Sequence, residues 1–212
     1  MPPFFYSVSH FQKILIDAGH AGEDYNSITH TYNGNQFTYS ESQRIWALQE
    51  YLIQALKNIG FINTERLRAT NNFVTTDGPV SGQTWGDWNE VEETERGKRA
   101  TGFDLFIQLH SNAADNANAD HALVVGRPNT VTFVNSLAEA IKNTMKLVGN
   151  SNIITTDYLV VTEAIKAGCP LSFLTENSFH TNARAAYWLM QDENLLKLAK
   201  AYAKVIKNHF IP

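Results

Sequence analysis

Residues 13–20 read Lys13-Ile14-Leu15-Ile16-Asp17-Ala18-Gly19-His20, and residues 104–110 read Asp104-Leu105-Phe106-Ile107-Gln108-Leu109-His110. Each is a short apolar run that closes on a histidine, the pattern of a buried strand ending at a turn. A third run, Pro170-Leu171-Ser172-Phe173-Leu174-Thr175-Glu176, begins with the proline a strand accepts at its first position and ends in glutamate. Ala122-Leu123-Val124-Val125 is a shorter fourth. Helical patterns lie between and after them. Ser40 reads as the N-cap of a helix from Glu41 to about Ile59, stopped by Gly60. Leu137, Ile141, Met145 and Val148 recur at helical spacing after Ser136, as do Leu195, Leu198, Tyr202, Val205 and Ile206 between Asn194 and Phe210. Strands alternating with helices predict an α/β fold with a central, mostly parallel sheet flanked by α-helices. Residues 21–39 read as a polar connection. The stretch 63–95, polar and broken by Gly78, Pro79, Gly82 and Gly86, reads as a long loop insertion of the kind that is usually functional or mobile.

Composition narrows the function. The 212 residues fit one domain spanning 1–212. At 43% hydrophobic the chain is not disordered, and with Cys169 its only cysteine it is not a disulfide scaffold. A net charge of −4 argues against a nucleic-acid partner. No run approaches the 18 or so apolar residues of a membrane span. Residues 1–6, Met-Pro-Pro-Phe-Phe-Tyr, lack the basic start of an export signal. The expectation is therefore a monomer made in the cytoplasm that acts after release, or an excised domain of an exported protein.

The chemistry lies at the strand ends. In a parallel α/β sheet, ligands sit outside the carboxyl ends of the strands. His20, His110 and Glu176 would meet there if their strands run parallel. Glu41 joins them by a different argument. At 100° per residue, Ile45, Leu48, Leu52, Ala55, Leu56 and Ile59 lie on the side to which Glu41 points. A carboxylate on that buried stripe is costly unless paired or metal-bound, although a place in the first turn also favours an acid through the helix dipole. Two histidines and one glutamate make a common catalytic zinc shell with a position left open for water. A further carboxylate, Glu176, is then free to act as general base, which suits amide hydrolysis. No GxSxG, P-loop or GxGxxG motif competes with this reading.

These residues stand in motifs that resemble the zinc-dependent N-acetylmuramoyl-L-alanine amidases of the type-3 class, a family of bacterial cell-wall amidases and phage endolysins. Ile16-Asp17-Ala18-Gly19-His20-Ala21-Gly22 is similar to the family's strand-plus-GHGG start. Glu41 opens a long helix. Residues 104–113, DLFIQLHSNA, are close to DLFISIHANA, and Arg96 and Ala100 keep the family's spacing upstream of them. Residues 174–182, LTENSFHTN, are similar to LVExGFxSN. The second glycine of GHGG is Ala21 here, and Gln108 replaces a serine. The resemblance implies His20, Glu41 and His110 as Zn2+ ligands, Glu176 as catalytic base, and peptidoglycan as substrate, in a lysin or an autolysin. The rival readings are a zinc peptidase acting on stem peptides and a non-catalytic wall-binding homologue. His121, His180, Trp85 and Trp88 are further candidates for substrate binding.

Overall fold

The structure is a computed structural model and describes residues 12–22, 26–72, 85–150, 152–154 and 157–211. The apolar runs form strands β1 (Ile14–Ala18), β5 (Leu105–Asn112) and β8 (Leu171–Phe179), with β6 (Leu123–Val125) as the shorter fourth. Two further short strands, β4 (Thr64–Arg66) and β7 (Asn152–Ile154), complete a six-stranded sheet in the order β4-β1-β5-β8-β6-β7. Every neighbouring pair is parallel except β6 with β8. The mostly parallel sheet is thus present, with an antiparallel step to its last two strands.

Strand alternation divides the core into two layers. Ile14, Ile16, Leu105, Ile107, Leu109 and Phe173 face helices α1 (Glu41–Asn58), α3 (Val131–Met145) and α6 (Asp192–Phe210), whose buried stripes include Leu48, Leu52, Leu137, Ile141, Leu198 and Tyr202. Leu15, Phe106 and Leu174 face the other way, with Val160, Val161 and Ala164 of α4 (Leu159–Lys166). Cys169 is a buried member of this second layer, as its apolar surroundings suggest. Among the described residues, no helix is long and apolar enough to cross a membrane.

Two sequence expectations need correction. Residues 21–39 are not only a connection: β2 (Ser27–Tyr32) and β3 (Asn35–Ser40) pair antiparallel as a hairpin. Its turn is Asn33-Gly34, both at positive φ (50° and 78°). That is the two-residue turn whose twist suits a hairpin, and the Asn-Gly pair was its signal. The 63–95 stretch is likewise not all loop. It holds β4 and most of α2 (Trp85–Lys98). The helix sequence WGDWNEVEETERGK lacks a regular apolar stripe, so periodicity could not reveal it. It docks through a close backbone approach instead. A Cβ on Gly97 would lie 2.6 Å from Glu163 Cβ and 2.7 Å from Val160 O on α4. The remaining helix, α5 (Ala183–Leu189), is capped by Asn182, whose side chain accepts from Ala185 N.

Candidate active site

The site is assembled where β1, β5 and β8 end. Pairing sets His110 beside Glu176 and Asp17 beside Gln108, so all four lie on the α2/α4 side of the sheet. His20 follows β1 by two residues, and Glu41 enters from the first turn of α1. Single donor atoms of His20, Glu41 and His110 all lie within 4.8 Å of one another. His20 Nε2 is 3.4 Å from Glu41 Oε2, and His110 Nδ1 is 3.4 Å from Glu41 Oε1. The two imidazoles meet edge to face, with centroids 4.7 Å apart. Glu176 and His180 line the same cavity.

A glycine makes this packing possible. A Cβ at Gly19 would lie 1.9–2.4 Å from three atoms of the His110 ring. The backbone there is held by the Gly19 N–H, which donates to Leu109 O at 2.8 Å. Glu41 is 1% exposed and is held from both sides. Its Oε1 accepts from Ser111 N at 2.7 Å, and its Oε2 from Asn26 Nδ2 at 2.8 Å. The expected Ser40 stands at the N-cap without a side-chain cap bond; its hydroxyl pairs instead with that of Ser42 in the first turn, at 3.2 Å.

The electrostatics suit metal binding. Burial pushes the Glu41 carboxyl up, but the His110 hydrogen bond and the histidine charges outweigh it and hold it at about 2. Burial, then the neighbouring His110 charge, lowers His20 to about 3, so its imidazole is neutral at pH 7. Burial also opposes charge on His110, yet Glu41 and Glu176 raise it to about 9. One carboxylate and two imidazoles within reach of one point fit the His2Glu donor set of catalytic zinc, once His110 gives up its proton. Glu176 is different. Burial raises it to about 7, and its Oε2 has no hydrogen-bond partner among the described residues.

A buried charge network continues from the cavity's lining, to which Glu92 and Arg96 belong. Arg96, 1% exposed, donates from one nitrogen to both Asp17 oxygens at 2.9 and 2.8 Å and pairs with Glu92 at 3.1 Å. Arg68 bonds the carbonyls of Ala18 and His20, fixing the turn that carries the histidine. Composition could not expose this network. Only the four-residue spacing of Glu92 and Arg96 on one helix hinted at a pair.

The lesser candidates separate. His180 sits in the cavity wall, where its Nδ1 lies 2.8 Å from Ser111 O and 3.6 Å from Glu41 Oε2. His121 packs against the Phe179 ring at 4.6 Å and is not among the cavity's lining residues. Its neighbour Asp120 is clamped by Arg184 at 2.7 Å, which fixes the chain direction there. Trp85 and Trp88 begin α2, but their side chains lie outside the described residues.

The sequence matches the family described as N-acetylmuramoyl-L-alanine amidase over residues 14–208. No curated protein matches it. Among solved structures, the catalytic domain of CwlV, an N-acetylmuramoyl-L-alanine amidase from Bacillus (Paenibacillus) polymyxa var. colistinus, superposes with TM-score 0.71 at 16% identity, covering 93% of this chain and 97% of that one. The CwlD amidase of Clostridioides difficile, solved with the GerS lipoprotein, gives 0.72 at 19%, covering 93% and 98%. N-acetylmuramoyl-L-alanine amidase AmiC2 of Nostoc punctiforme gives 0.66 at 19%, covering 95% and 98%. At these identities the likeness carries the fold.

Proposed function

The chain belongs to the N-acetylmuramoyl-L-alanine amidase family and is a peptidoglycan amidase; we propose that it works as a zinc hydrolase, with His20, Glu41 and His110 holding the metal and Glu176 serving as general base. The observation that carries this reading is the convergence of those four side chains, from three strand ends and one helix start, on a single cavity. Zinc held by His20, Glu41 and His110 would supply Lewis acidity, polarising an amide carbonyl and acidifying a water. The remaining work falls to the chain. Glu176 accepts a proton from the attacking water and returns it to the leaving amine of L-alanine. In the metal-free protein burial raises the Glu176 carboxyl above the usual carboxylate range, which makes it a stronger base than an ordinary carboxylate. Asn26 and Ser111 orient Glu41, and Tyr39 Oη, 2.8 Å from Ser111 Oγ, braces the same corner.

The test is metal removal and return. Chelated enzyme should release no peptide from purified peptidoglycan and should recover with one equivalent of zinc. Full activity in metal-free protein would count against the zinc reading.

A further inference from the structure

The cavity has a wall that the zinc chemistry does not use. Gln108 precedes His110 by one same-face step, about 7 Å along β5. Its side-chain amide donates to Asp17 Oδ2 at 3.0 Å and to the Glu93 carboxylate at 3.2 and 3.5 Å. Glu93, half-buried on α2, lines the cavity beside it. Both amide hydrogens of Gln108 therefore serve acceptors, and its Oε1 is buried without a partner among the described residues. The nearby Arg96 is already engaged by Asp17 and Glu92. Among the described residues no ion pair reaches Glu93.

This wall presents two acceptors, the Gln108 Oε1 and the Glu93 carboxylate, beside an Arg96 whose hydrogen bonds go to Asp17 and Glu92. A ligand group bound there must donate, and an ammonium is the donor that also offsets the carboxylate charge. Burial raises the Glu93 pKa against the opposing charges of Arg96 and His110, so a further cation beside it would favour the ionised form. Gln108 stands where the resembling family has serine, so the pair is a feature of this chain's own residues. We propose that Glu93, oriented by Gln108, is a specificity-determining residue that binds a protonated amine on the peptide half of the substrate. The identity of that substrate rests on the amidase reading; the amine site does not.

The experiment compares two soluble muramoyl-peptides that differ only at a lysine side chain, free in one and acetylated in the other. Both are bound at equilibrium to the zinc-loaded Glu176→Gln variant, where turnover does not interfere. The free amine should bind about tenfold tighter, the scale of a charge-assisted hydrogen bond. Adding Glu93→Gln should abolish the preference by weakening only the free-amine probe, and Glu93→Asp should keep part of it. Equal affinities in the Glu93 protein, or a Glu93→Gln loss shared by both probes as a structural role requires, overturns the proposal. A preference that persists while wild-type protein releases peptide from neither probe supports the amine site and removes the amidase reading.

Discussion

Replacing Gly19 by alanine should destroy the metal site while sparing the fold. The added Cβ would lie 1.9 Å from His110 Nε2, whereas ordinary contact begins at 3.4 Å. Something must therefore move by about 1.5 Å. The backbone is poorly placed to do so. Gly19 N–H bonds Leu109 O at 2.8 Å, and β1 is paired with β5 along its whole length. The imidazole is the part that yields. Metal–ligand distances tolerate about 0.2 Å, so His110 leaves coordination reach. Disturbing a ligand's support alone costs about 10–100-fold in metal affinity, and displacing the ligand should cost at least the upper end. The assay is zinc competition against a chromophoric chelator, with circular dichroism and urea denaturation on the same preparations. Gly22→Ala is the control: it carries the strain of φ +88° but meets nothing within 4 Å, and should keep zinc. Wild-type zinc affinity in Gly19→Ala would refute the steric argument.

Other outcomes follow from the same geometry. Glu176→Gln should retain one zinc and lose about 10²–10⁴-fold in turnover, while Glu41→Ala should lose zinc and activity together; metal analysis alongside peptide release separates them. Arg96→Met leaves Asp17, fully buried, without its main partner, and should cost about 3–5 kcal/mol in urea denaturation, the usual cost of breaking a buried pair; a loss under 1 kcal/mol would show the network to be dispensable. In metal-free protein Glu41 and Glu176 outweigh burial and raise His110 from 6.5 to about 9. Its imidazolium therefore stabilises the metal-free fold fully below pH 6.5 and ceases to do so as pH rises through 9. The same proton competes with zinc, so zinc affinity should climb about tenfold per pH unit up to about 9 and level off above; pH-independent affinity would contradict this.

The sequence made the strand ends legible because buried parallel strands are apolar throughout, and a terminal His or Glu breaks that pattern visibly. Glu41 was readable for a related reason: five residues of its helical stripe, Ile45 through Leu56, are buried with it. The hairpin carries a turn signal in Asn33-Gly34, but its half-exposed, polar strands show little of the apolar alternation that marks a strand pair. Helix α2 was beyond periodicity altogether. It docks by Gly97 and by the buried charges of Glu92 and Arg96, and only the three-dimensional neighbours explain why charges belong there. The placement of His121 against Phe179 was equally invisible, since it follows from the distant Arg184–Asp120 clamp.

The most direct measurement of the central claim is mass-spectrometric analysis of purified peptidoglycan digested by the zinc-loaded protein. Cleavage at the muramoyl amide should yield intact stem peptides with a new L-alanine amino terminus and glycan strands with free lactyl carboxylates, and Glu176→Gln should yield neither at a comparable rate. New termini within the stem peptide would identify a peptidase and contradict the account.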